Sequence, residues 1–206
     1  MVGIVDYGSG NFASVLNAMT TFHDNVKSIA SPKDFVGCSH IVLPGVGAFK
    51  TAVEKMQALN LIDSLKESVL IQKKPFLGIC VGMQILAEKG FEFEISDGLG
   101  WITGNVVKFD FGNEPLHLPH IGWNDVEDYD GQPLFRDIQD DDPSFYFVHS
   151  YHLQTNDPNC IVTYAGYGYR FPAAIQRDNI FGVQFHPEKS QTNGLQLLKN
   201  FARLNG

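Results

Sequence analysis

Short apolar runs alternate with helix-patterned segments along the first part of the chain, and this alternation constrains the fold more than any other feature. The runs are Val2–Val5, Val26–Ile29, Ile41–Leu43 and Phe76–Ile79. Segments with helical spacing cover Phe12–Phe22, Phe49–Ala58, Leu61–Ile71 and Gln84–Ala87. Runs this short, apolar throughout and separated by helices, predict a mostly parallel sheet with helices on both faces, an α/β architecture. From Leu99 to Ile175 the character changes to Gly-, Asp- and aromatic-rich short strands: Val106–Phe109, Gly122–Val126, Ser144–Val148, Ile161–Tyr164 and Ala173–Gln176. These predict a smaller antiparallel layer on the parallel core. Gly194–Leu204 closes the chain with an amphipathic helix, and Asp140–Asp142 reads as a solvated loop ahead of Pro143. There is no internal repeat or low-complexity linker, so residues 1–206 are expected to form one domain. A chain of this length buries roughly 70% of the surface its unfolded form exposes.

The chemistry begins where one of those runs ends. Pro75–Gly82 reads Pro-Phe-Leu-Gly-Ile-Cys-Val-Gly and sets Cys80 between two glycines, where a strand gives way to a helix. This is a cysteine version of the nucleophile elbow. The following helix is expected to start at the cysteine and to favour thiolate through its free N–H groups and dipole. A buried structural cysteine is the alternative, and the flanking glycines argue against it. Far downstream, the strand-like Phe181–Phe185 runs into His186-Pro187-Glu188. Pro187 stops the strand, so His186 is placed to take the thiol proton and Glu188 to orient the ring. An oxyanion formed at the cysteine needs two N–H donors. The Val81 amide, directly after the nucleophile, is one; the other is expected from Pro44-Gly45-Val46-Gly47, at Val46, where glycines permit a peptide flip.

Together, Gly-Ile-Cys-Val-Gly-Met-Gln (78–84) and Gln-Phe-His-Pro-Glu (184–188) resemble the class I, triad-type glutamine amidotransferases. Further segments narrow the resemblance to the glutaminase subunits of imidazole glycerol phosphate synthases, over essentially the whole chain. They are Asp6–Asn11, Leu43–Phe49, Pro119–Asn124 and Phe147–His152. The resemblance implies hydrolysis of L-glutamine at Cys80, His186 and Glu188, without a cofactor. The ammonia would pass to a (β/α)8-barrel cyclase subunit in a heterodimer. It also implies that the Pro-Gly-Val-Gly segment is switched by the partner's ligand. Gln84 and Gly47 would contact the substrate, with Ser150 and Tyr151 offering polar contacts to its amino-acid end. Asn11, Trp123 and Lys189 would lie toward the partner, Lys189 in an interface salt bridge or simply exposed. His149 and His152 read as lining the route to the partner, and His120 as core or interface packing. Three alternatives stand beside this reading: a related glutaminase subunit for cell-surface sugar amination, a free-standing cysteine γ-glutamyl hydrolase, and a non-catalytic scaffold. Trp101 and the aromatic, acidic Asp110–His117 stretch are what favour the first.

The formal net charge of −8 argues against a nucleic-acid binder. No run approaches the ~20 apolar residues of a membrane span. The chain opens on a strand without a charged leader, and its three cysteines are odd in number and unrelated in spacing. Both features point to a reduced, cytoplasmic setting. Cys38 and His40 have no second pair to complete a metal site. Gly8-Ser9-Gly10-Asn11-Phe12-Ala13 matches a dinucleotide fingerprint, but Val26–Ser31 lacks the acidic residue for the ribose, so no dinucleotide site is expected.

Overall fold

The computed structural model describes residues 1–138 and 143–205, so the acidic run Asp140–Asp142 lies outside the described residues. The first half of the chain builds β1 (Val2–Val5), α1 (Phe12–Thr20), β2 (Val26–Ile29), β3 (His40–Leu43), α2 (Phe49–Ala58), α3 (Leu61–Lys66), β4 (Phe76–Ile79) and a single-turn helix α4 (Val81–Gln84). Short strands follow: β5 (Lys89–Gly90), β6 (Ser96–Asp97), β7 (Asn105–Lys108), β8 (His120–Asp125), β9 (Ser144–His149) and β10 (Tyr151–Gln154). The last stretch holds β11 (Ile161–Tyr167), β12 (Tyr169–Arg177), β13 (Ile180–Val183) and α5 (Gln191–Ala202).

A seven-stranded sheet in the order β11-β12-β13-β4-β3-β1-β2 forms the centre. Pairing is parallel from β13 through β2 and antiparallel at the β11–β12–β13 end. Every residue of β1, β3, β4 and β13 is buried, as expected of strands covered on both faces. The connection from β1 to β2 moves one way along the sheet, and that from β3 to β4 the other. Right-handed crossovers therefore put α1 on one face and α2 with α3 on the opposite one. α5 packs against α1.

The second layer differs from the expectation in two ways. β11 and β12 belong to the central sheet as its antiparallel end, not to the smaller layer. The smaller four-stranded sheet, β10-β7-β5-β6, is mixed, because β5 and β7 run parallel. β5 and β6, two residues each, are too short for a period-two pattern to stand out, and the expected strands included neither them nor β10. β8 and β9 form a separate antiparallel ribbon. Between the layers lies an aromatic core in which Phe145 stacks on Phe185 with centroids 4.1 Å apart. Trp101 is buried edge-on against Phe76, and Arg177 donates to its carbonyl at 2.6 Å. It is a core residue. No helix is long and apolar enough to cross a membrane among the described residues.

Candidate active site

Cys80 directly follows β4, and its φ of 53° places a non-glycine residue in the left-handed region. Backbone strain of this kind persists only where the surroundings enforce it. They do so through close approach: a Cβ on Gly82 would sit 2.0 Å from the Leu43 carbonyl oxygen, and one on Gly78 would sit 2.5 Å from that of Gly82. The elbow is as expected, but the helix after it is shorter. α4 is one turn, ending at Gln84 rather than Ala87, and so short a helix carries little macrodipole.

β13 pairs in parallel beside β4, so its C-terminal end brings His186 to the same edge of the sheet. His186 Nδ1 lies 2.8 Å from Glu188 Oε1, both side chains being fully buried. The carboxylate accepts the Nδ1 proton, which leaves Nε2 as the basic nitrogen. That Nε2 is buried and, among the described residues, has no hydrogen-bond partner. Burial opposes protonation of the ring. The Cys80 sulfur beside it and the Glu188 carboxylate outweigh that opposition, and His186 is raised to about 10.

Asn11 is buried. Its Nδ2 donates to Glu188 Oε1 at 3.0 Å, and its Oδ1 accepts from the Ser9 hydroxyl at 2.7 Å. Asn11 was expected toward the partner; in the structure both its polar ends are committed inside the chain, one of them to Glu188. The loop that mimics a dinucleotide fingerprint thus delivers Asn11 to Glu188.

The segment after β3 runs alongside the elbow. The Gly45 carbonyl accepts from the Val81 amide at 3.4 Å. Carbonyl and N–H point in opposite directions across a trans peptide, so the Val46 N–H is turned away from Val81. The two expected oxyanion donors therefore do not converge here: one is occupied and the other faces elsewhere. Gly47, with φ 94°, supplies the backbone freedom such a segment needs to rearrange.

A cavity of about 930 Å³ opens over Cys80 and is also lined by Asn11, Val46, Gly47, Val81, Gln84, Ser150, Tyr151 and Lys189. The structure thus brings the expected substrate residues around the cysteine. The same cavity is lined by Glu92 and Lys108, a carboxylate and an ammonium that the sequence reading did not single out. Their only sequence signal is charge in a short-strand region. Glu92 Oε2 also accepts the Phe49 amide at the start of α2. Gln84 is buried, and its side-chain N–H groups go to the Tyr151 carbonyl at 2.9 Å and to Gln184 Oε1 at 3.1 Å.

Two further histidines, His120 and His149, form a directional chain. Asn124 donates to His120 Nε2 at 3.2 Å, His120 Nδ1 lies 3.0 Å from His149 Nε2, and His149 Nδ1 lies 2.8 Å from the Tyr151 carbonyl. Only neutral rings fit this chain. Burial pushes His120 down to about 4 and His149 down to about 3, and it lowers His152 as well. His152 Nε2 pairs with the Tyr169 hydroxyl at 2.9 Å. Trp123, in contrast, is half-exposed on the same ribbon, edge-on to Tyr146, and the Lys189 ammonium lies 5.7 Å from the Tyr146 ring centre. Among the described residues no group of three or more His, Cys, Asp or Glu is arranged to hold a metal.

An elbow cysteine beside a histidine–glutamate pair at the C-terminal edge of a parallel sheet is an arrangement suited to a cysteine hydrolase, and the comparisons give the family. The model of the class-I glutamine amidotransferases matches residues 4–204, and the chain belongs to that family. Within it, the chain is 45% identical over 204 residues to imidazole glycerol phosphate synthase subunit HisH 1 of Campylobacter jejuni, covering 99% of this chain and all of that one. It is 42% identical over 206 residues to the HisH subunit of Leptospira interrogans, again covering 99% of this chain and all of the relative. A crystal structure of a glutamine amidotransferase shares the fold with a TM-score of 0.74 at 17% identity, covering 98% of both chains. The glutaminase domain of a Trypanosoma brucei CTPS with bound acivicin gives a TM-score of 0.68 at 15% identity, covering all of this chain and 94% of that one.

Proposed function

We infer that residues 1–206 form one glutaminase unit, the subunit of imidazole glycerol phosphate synthase that hydrolyses L-glutamine and supplies ammonia for histidine biosynthesis. The observation that carries this reading is the buried His186–Glu188 pair, 2.8 Å apart, with an unpartnered Nε2 beside the elbow cysteine. His186 takes the thiol proton, and the Cys80 sulfur attacks the glutamine side-chain carbonyl. His186 then protonates the departing ammonia, and water cleaves the thioester with the same imidazole as base. Asn11 and Glu188 hold the ring. Glu92 suits the ammonium of the amino-acid end and Lys108 its carboxylate, with Ser150 and Tyr151 between them.

The Gly45–Val46 peptide explains how such a site is gated. With the Gly45 carbonyl on the Val81 amide, an oxyanion would meet an acceptor where it needs a donor. Turning that peptide over would break the 3.4 Å bond and present the Val46 N–H beside that of Val81. The partner whose ligand drives the turn is a (β/α)8-barrel cyclase, docked on the face that carries Trp123 and Lys189, in a cytoplasmic heterodimer.

The test is glutamine hydrolysis by the isolated chain, then with a histidine-pathway cyclase subunit and its nucleotide ligand. Near-silence alone and strong activation in the complex is the expected result. Equal activity in both conditions would overturn the gated-subunit reading in favour of a free-standing hydrolase.

A further inference from the structure

The nucleophile has a neighbour that the triad does not account for. β13 and β4 pair with Val183 opposite Ile79, so the next residues, Gln184 and Cys80, emerge side by side. Both are fixed there by main-chain bonds, Cys80 N–H to the Val183 carbonyl and Gln184 N–H to the Ala173 carbonyl, each 2.8 Å. Gln184 is wholly buried, and its Nε2 lies 3.7 Å from Cys80 Sγ. A main-chain carbonyl can only accept, so the Tyr151 carbonyl fixes which end of the Gln84 amide faces it. The second N–H of Gln84 then requires the oxygen of Gln184, at 3.1 Å. That leaves the amino end of Gln184 facing the sulfur. A flipped Gln184 would oppose two NH2 groups and turn a carbonyl toward the nucleophile.

We propose that Gln184 is a positioning residue of the nucleophile: its amide, locked by Gln84 and the Tyr151 carbonyl, donates to Cys80 Sγ and favours the thiolate–imidazolium form of the Cys80–His186 pair. A thiolate is a far better acceptor than a thiol, and a donor to the charged form stabilises that form. The inference concerns the same site as the glutaminase reading but requires no substrate. The titratable groups acting on this pair are Tyr7 from the loop after β1, His149 at the end of β9, and Glu188. Of these, His149 shares the Tyr151 carbonyl with Gln84, its Nδ1 lying 2.8 Å from that oxygen.

The experiment is an imidazole 15N NMR titration of His186 in the isolated, full-length chain. Gln184→Met keeps the volume and removes the donor; Gln84→Met keeps the donor and removes its lock. The His186 midpoint should fall by about one pH unit in Gln184→Met, a tenfold change in the imidazolium–imidazole equilibrium constant, and by less in Gln84→Met. In a Cys80→Ala background, Gln184→Met should have no effect, because the sulfur through which it acts is gone. Native titration curves in the single variants, or an equal shift in the Cys80→Ala background, would overturn the proposal. Should Gln184→Met not fold, Gln84→Met decides alone: a downward shift supports the proposal and a native curve refutes it. Failure to hydrolyse glutamine even with the cyclase subunit and its nucleotide ligand present would refute the glutaminase reading without touching this outcome.

Discussion

Asn11 shows how much rests on single side chains in this site. Its amide is one of two donors on Glu188 Oε1, the other being His186 Nδ1. Asn11→Ala should leave glutamine binding intact but loosen the carboxylate that aims the imidazole. The expected result is a kcat about tenfold lower with KM within about twofold, measured in the activated complex. Asn11→Asp should cost more than Asn11→Ala, because it sets a like charge against Glu188; the reverse order would show that Asn11 acts by packing alone. At the nucleophile, Cys80→Ala should abolish turnover and leave the thermal midpoint near native, since the residue lost is small and its φ strained. Residual glutamine hydrolysis there would contradict the mechanism. The elbow at Cys80 and the neighbouring His186 and Glu188, the proposed nucleophile, base and acid, were legible from Gly-x-Cys-x-Gly and His-Pro-Glu, because each motif has a local backbone reason. The role of Asn11 was not, since its partner lies 177 residues away.

Among the elements, the turn from β4 into α4 and the segment after β3 behave as one unit. Gly82 lets α4 approach the Leu43 carbonyl closely, and Leu43 leads directly into Pro44-Gly45-Val46-Gly47. Gly82→Ala should therefore destabilise the fold by about 1–3 kcal/mol, as overpacking does, and should also displace the Gly45 carbonyl. A calorimetric scan and a glutaminase assay on the same variant check both effects; a lowered midpoint with native gating would separate the two segments. Sequence periodicity located β1, β3 and β4 because full burial makes a strand apolar throughout. It did not assign β11 and β12 to the central sheet. Their pattern reports burial, and which sheet buries them depends on their pairing with β13.

At the scale of the whole molecule, the buried histidines tie stability to pH. His120 and His149 have folded values of about 4 and about 3, below the unfolded reference near 6.5. Below pH 6.5 the unfolded chain binds protons that the folded one refuses, so stability is lost as pH falls toward 4 and then 3. Each group contributes up to about 1.4 kcal/mol per pH unit across its window. His186 has the opposite sign. Its folded value is raised to about 10, so its contribution is full below 6.5 and is lost as pH climbs toward 10. Urea midpoints should therefore drop steeply between pH 6.5 and 4, and His149→Gln should flatten that limb; parallel limbs in the two proteins would show that His149 does not titrate in this way. The α/β class, the elbow at Cys80, the His186–Glu188 pair and the glycine-rich segment beside them could all be read from the order of residues along the chain. Each depends on local periodicity, on backbone conformation at glycine and proline, or on residues close together in the chain. Only the tertiary structure decided that Asn11 turns inward to Glu188, that Gly45 occupies the Val81 amide, and that Gln184 faces the sulfur. Those contacts join segments that meet only after β4, β3, β1 and β13 have paired, and hydrogen bonds between distant residues leave no periodic trace in a sequence.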